Sequence, residues 1–175
     1  MICLCTFLEP MTILGIPLSP AHAYRMDDEG TVSDMRLAVG LGTCHVCDYC
    51  MEHEGSVVLL EDTRLVESAH DLKKKYPCLN QDSDGKATRR LLRDEQLLKV
   101  CGSLLVLWQL AERCEDAKTF LNARNFEFWL VVPDDVSPDE THTFDYFLAE
   151  LRGAIHDVSN VRILRLKEFR TLLPT

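Results

Sequence analysis

The sequence predicts an α/β protein: a mixed sheet with a parallel C-terminal half, antiparallel N-terminal strands and one long buried helix. Three observations carry this expectation. From Phe126 onward the chain alternates apolar, β-rich runs with helical periodicity, reading strand, helix, strand, helix. Strands separated by a helix of this length pair in parallel through a right-handed crossover. Ser56-Val57-Val58-Leu59-Leu60 is a continuous apolar run, the pattern of a strand buried on both faces. Finally, the first 25 residues hold two short apolar pieces bounded by prolines, which favour strands over helix.

Taken in order, Cys3–Leu8 and Thr12–Ile16 are predicted to be extended, and Asp27-Asp28-Glu29-Gly30 to turn. Met35–Val39 alternates well enough for a strand, broken by Gly40-Leu41-Gly42. After Ser56–Leu60, the residues Leu65, Val66, Ala69 and Leu72 share one face of a helix that closes on Lys73-Lys74-Lys75. Cations suit that end because the last carbonyls of a helix carry partial negative charge. Pro77 stops it. A long helix is expected from about Ala87 to Ala117, amphipathic at first and apolar nearly all round at Leu104–Trp108. On it, Arg89, Arg90 and Arg93 are expected to face solvent, opposite Leu91, Leu98 and Cys101. Gly102 inside this helix costs about 1 kcal/mol relative to alanine, which points to a close contact or a break. Phe126–Val132 reads as a central strand. Ser137 or Asp139 is placed to cap the next helix, Glu140–Asp157, with its apolar stripe Phe144, Phe147, Leu148, Leu151 and Ile155. Val161–Leu166 is a last strand and Lys167–Leu173 a closing helix.

Length and composition fit a single domain over 1–175, with N-terminal strands and a cysteine-rich segment in 1–55 and an α/β body in 56–175. The balance of 19 basic to 28 acidic residues gives a net charge of −9. Such a surface repels a phosphate backbone, so nucleic acid could be held only through a local basic patch. No run reaches the ~18 apolar residues of a membrane span. Residues 1–23 lack a basic start, and Glu9, Pro10 and Pro17 interrupt them, so a leader peptide is not expected. Eight unevenly spaced cysteines in a chain of this length fit a reducing, cytoplasmic setting better than a disulfide scaffold.

The densest chemistry is Thr43-Cys44-His45-Val46-Cys47-Asp48-Tyr49-Cys50-Met51-Glu52-His53. Cys-x2-Cys is a common half of a tetrahedral zinc site, so Cys44, Cys47, Cys50 and His53 form a candidate zinc set, with His45 or Cys78 as alternative fourth ligands. Successive three-residue steps are tight for one ion. An iron–sulfur pattern, a redox pair and reduced thiols packed as small apolar groups stand beside zinc. A second candidate lies at strand ends, where open α/β sheets bind ligands. Glu61-Asp62 and Asp134-Asp135 follow predicted strands and could hold magnesium or manganese. Arg89, Arg90 and Arg93 with Lys86 would then bind phosphate, and His142 or His156 would act as general base. Asn80–Gly85 resembles the first half of a calcium loop, but position twelve is Leu91, so a capping turn is expected. Two functional expectations result. The first is a small intracellular protein with a structural zinc-type site that binds another protein. The alternative is a divalent-metal-dependent phosphoesterase or nuclease using the strand-end carboxylates.

Overall fold

The computed structural model describes residues 2–27, 34–82, 85–122, 125–135 and 138–173, with side chains described throughout these except 138–142. The expected turn at Asp28–Gly30, the caps at Ser137 and Asp139, the side chain of His142 and part of the Asn80–Gly85 loop lie outside this set.

Six strands form one mixed sheet in chain order. They are β1 (Leu8–Ile13), β2 (Ile16–Arg25), β3 (Tyr49–His53), β4 (Ser56–Asp62), β5 (Asn125–Val132) and β6 (Asn160–Arg165). The pairs from β1 to β4 are antiparallel, and β4, β5 and β6 run parallel. The helices are α1 (Met35–Val39), α2 (Leu65–Lys75), α3 (Lys86–Ala111), α4 (Glu115–Leu121), α5 (Pro138–Ala154) and α6 (Leu166–Leu172). The fold class read from the sequence is therefore the observed one.

Strand alternation divides the core in two. On one face Cys50, Val57, Leu59, Phe128, Leu130, Val132 and Val161 pack with buried residues of α3, α4 and α5. On the other, Tyr49, Met51, Val58, Leu60, Trp129 and Val131 meet Leu166 and Phe169 of α6 and the inner side of the β1–β2 hairpin. As expected, β5 lies between two strands and buries Phe128 to Val132 completely.

Local structure departs from expectation in several places. Thr12–Ile16 is not one extended piece: Leu14 and Gly15, both at positive φ, turn the chain from β1 into β2. Tyr49–His53 is a strand. Cys3–Leu8 opens with a 3-10 turn over Leu4–Phe7, and Cys3 and Cys5 are disulfide-bonded rather than reduced. Met35–Val39 is helix, not strand. The Asp34 carboxylate accepts from the N–H groups of Arg36 (2.8 Å) and Leu37 (3.4 Å), and Gly40 closes the turn at φ 82°. Such caps satisfy both ends of a helix too short to be recognised by periodicity. The long helix stops at Ala111, and α4 begins afresh after Cys114.

The face of α3 is also reversed. Leu92, Gln96, Val100, Ser103, Leu104, Leu107 and Leu110 are buried, whereas Leu91, Leu98, Cys101, Leu105 and Trp108 are exposed. Leucines occupy both sides of this helix, and the side packed on the sheet includes polar residues with partners there. Gly102 explains itself: a Cβ at this position would lie 1.9 Å from the His45 carbonyl oxygen. Gly102→Ala must therefore push the 44–47 segment off α3, and we expect a loss of about 1–3 kcal/mol. Urea denaturation measures it; an unchanged midpoint would contradict the close approach.

Candidate functional site

The carboxyl end of β4 opens into a cavity of about 490 Å³, lined by Leu14, Asp48, Glu61, Asp62, Arg64, Gln96 and Lys99 among others. Alternation sends Glu61 to the helical face and Asp62 to the hairpin face. Glu61 is only 3% exposed. Its Oε1 accepts from the Lys99 ammonium on α3, while its Oε2 is buried without a hydrogen-bond partner. Gln96, one turn earlier on α3, also keeps a buried, unpartnered Oε1. Asp48 stands just before β3, and its Oδ2 accepts from the Asp62 N–H at 2.9 Å. The Leu14 N–H at the β1–β2 turn donates to Asp62 Oδ2 at 2.7 Å. Ser103 ties the 44–48 segment to α3: it accepts from the Cys47 N–H (2.8 Å) and donates to the Lys99 carbonyl (2.7 Å).

These surroundings shift the titrations. Burial, with the negative charge of Asp48 adding to it, pushes Glu61 from 4.5 up to about 8 against the pull of Lys99. Burial likewise lifts Asp48 from 3.8 to about 6, although the Asp62 N–H favours its charged form. Burial opposes the charge on Lys99, but Glu61 and Asp48 win and raise its pKa. A cavity that gathers buried groups with shifted titrations is where ligand chemistry is to be sought.

Of the strand-end carboxylates expected from the sequence, Glu61 and Asp62 stand at this cavity. Asp134 does not line it: it accepts from the Lys167 N–H at 2.9 Å and caps α6. Asp135 lines a different hollow with Leu65 and Phe144. Parallel neighbours do end at the same sheet edge, but the turn after β5 carries both side chains away. The arginines are elsewhere too. Arg89 pairs with Glu150 and, with Lys73, lines a separate cavity of about 380 Å³, while Arg93 pairs with its neighbour Asp94. Arg90 is exposed and His156 is exposed. Arg64, paired with Glu67, lines the rim of the Glu61 cavity, and Arg25 of β2 acts on Asp48. Asp48, Gln96 and Lys99 were not singled out by sequence reasoning. Polar residues at 96, 99 and 103 on the sheet-facing side of α3 are the signal that could have found them.

The zinc set is spread over both sides of the sheet. Cys50 enters the helical core, and His53, three residues on, projects to the other face, edge-on to Trp129 at 4.8 Å. Cys47 and Cys50 are fully buried, and burial raises both thiol pKa values. Among the described residues, no three Cys, His, Asp or Glu side chains stand close enough to share one ion. No family model, no curated protein and no solved structure matches this chain.

Two measurements check this description. A carboxyl with a raised folded-state pKa holds a proton that the unfolded chain gives up. It stabilises at low pH, and that contribution is lost as pH rises from the unfolded toward the folded value. For Glu61 the window runs from 4.5 to about 8. Urea titrations should show stability falling across it, with the slope flattened in Glu61→Gln; an equal slope in both proteins would disprove the assignment. In thiol alkylation, Cys78 should react at once and Cys47 and Cys50 only on unfolding, with or without chelator. A chelator-dependent burst at Cys47 and Cys50 would instead restore a metal there.

Proposed function

We propose that the protein is a divalent-metal-dependent phosphodiester hydrolase, with its active site at the β4 end and Glu61, Asp48 and Lys99 as its centre. The observation that carries this reading is the buried Glu61, paired with Lys99 on one oxygen and unpartnered on the other, beside Asp48 in an open polar cavity. An unpartnered buried oxygen costs about 1–3 kcal/mol, so a fold retains one where a ligand completes it.

The donor set fits a hard cation. Magnesium is commonly held by one or two carboxylates, its remaining positions being filled by water and substrate phosphate, so three protein carboxylates need not converge. Glu61 and Asp48 would hold the ion, with the Gln96 amide oxygen as a further oxygen ligand. The ion would supply Lewis acidity toward the phosphoryl group. Lys99 favours the anionic form of Glu61 against the burial that opposes it, and offsets negative charge developing on phosphate. Arg64 at the rim would receive a flanking phosphate as a fork of donors. Ionisation of Glu61 and Asp48 is then linked to metal binding, so affinity must rise with pH between about 6 and about 8. Asp62, held by Leu14, orients the segment and keeps negative charge near the site.

The test combines calorimetry with magnesium or manganese and hydrolysis of bis(4-nitrophenyl) phosphate and of DNA. Metal-dependent cleavage is expected, with Lys99→Ala and Glu61→Gln each losing about 10²–10⁴-fold. Asp134→Asn should cleave as well as the parent chain. No metal uptake at millimolar concentration, or full activity in Lys99→Ala, would end this reading.

A further inference from the structure

The outer side of α3 carries an unused apolar stripe. Leu91, Leu98 and Leu105 recur every seven residues, with Asp94, Cys101 and Trp108 interleaved at the same period. This is an a/d heptad pattern along most of a 26-residue helix. Leu91 and Leu105 are each 41% exposed, Leu98 58% and Trp108 54%. Cys101 is also exposed. The opposite side of the same helix packs into the sheet, so the stripe is not needed to attach α3 to its own fold. Scattered exposed leucines need no explanation, but an aligned run ending in a half-exposed tryptophan marks an interaction site.

We propose that this stripe is the interface of a homodimer in which α3 packs antiparallel against α3 of a second copy. Two features of the sequence select that occupant. The first is self-complementarity. In an antiparallel pair each a position faces a d position. One register does this along the entire stripe: Leu91 against Trp108 of the second copy, Asp94 against Leu105, Leu98 against Cys101, and the same three in reverse. A two-fold interface requires such reciprocity, residue i meeting j and j meeting i. The two symmetry-related polar layers are not orphaned: Arg93 donates to Asp94 within each copy, and the indole N–H of Trp108 lies one turn from Asp94 across the axis and can donate to it.

The second feature is charge. The first two turns of α3 carry Lys86, Arg90 and Arg93 and no acid, Arg89 turning away to Glu150, whereas Glu112, Glu115 and Asp116, with Arg113, follow its last turn. A parallel pair would set basic end on basic end. The antiparallel pair brings each basic end to the acidic end of its mate, Arg90 nearest Glu112. Rim pairs of this kind set orientation more than affinity. The Glu61 cavity lies under the sheet-facing side of α3, where Gln96 and Lys99 point, so two copies would leave both cavities open.

Sedimentation equilibrium of the full chain and zero-length disulfide trapping decide the matter. The parent chain is expected to be dimeric at about 100 μM and below, and Leu98→Glu with Leu105→Glu should weaken association by at least about tenfold. Both positions are solvent-facing, so circular dichroism should show an unchanged fold. Arg90→Glu should weaken the dimer, and adding Glu112→Arg to it should restore association. In Leu98→Cys, mild oxidation should trap a covalent dimer whose bond joins position 98 of one copy to Cys101 of the other. A parent chain that stays monomeric at about 100 μM, whether or not some other protein binds the stripe, overturns the proposal. So does a dimer indifferent to the glutamates, or trapping that joins 98 to 98.

Discussion

Everything near the cavity depends on one turn of α3, from Lys99 to Ser103. It holds three separate constraints within five residues. Lys99 reaches down to a carboxylate buried at the end of β4. Gly102 lets the backbone of His45 come closer than any side chain would permit. Ser103 binds the Cys47 N–H, and the next residue, Asp48, receives the Asp62 N–H. The circuit from Glu61 to Lys99 to Ser103 to Asp48 and back to Asp62 is therefore closed. Leaving a buried polar group without its partner costs about 1–3 kcal/mol. Loss of Lys99 would thus loosen the helix and the 44–48 segment together.

The sheet was legible because its strands obey their period. Ser56–Leu60 and Phe126–Val132 are apolar on both faces, and that is how they are buried. Elements defined by only five residues were not. Met35–Val39 fits both periods, and its outcome was decided by an aspartate and a glycine at its ends. Tyr49–His53 went unrecognised as a strand because its cysteine and histidine drew a metal interpretation. Yet in a strand an odd spacing sends Cys50 and His53 to opposite faces.

Half of the candidate site was legible for the same reason. Glu61 and Asp62 end a strong strand, and strand ends are where α/β sheets present ligands. Asp134 and Asp135 obeyed the same rule on paper, but rules about sheet edges do not fix where the following turn goes. Lys99 and Gln96 were hidden in a helix whose leucines lie on both sides. A hydrophobic stripe identified the wrong face, because the sheet-facing side is studded with polar groups, of which Lys99 and Ser103 find their partners only when β4 and the 44–48 segment are in place.

Strand order in the sheet is identical to strand order in the chain. No strand has to be inserted between two that are already paired, so the sheet can grow at one edge while the chain is being synthesised. The hairpins β1–β2 and β3–β4 close over short distances, whereas β5 must wait until the three helices after Asp62 have been made. Contacts that close long loops form late and slowly. On the ribosome, then, Asp48, Glu61 and Asp62 gather first, as an acidic hairpin end with only Arg25 of β2 beside Asp48. Lys99 arrives afterwards with α3, so the last step of building the cavity is the delivery of a cation to a carboxyl that Arg25 does not reach, Glu61.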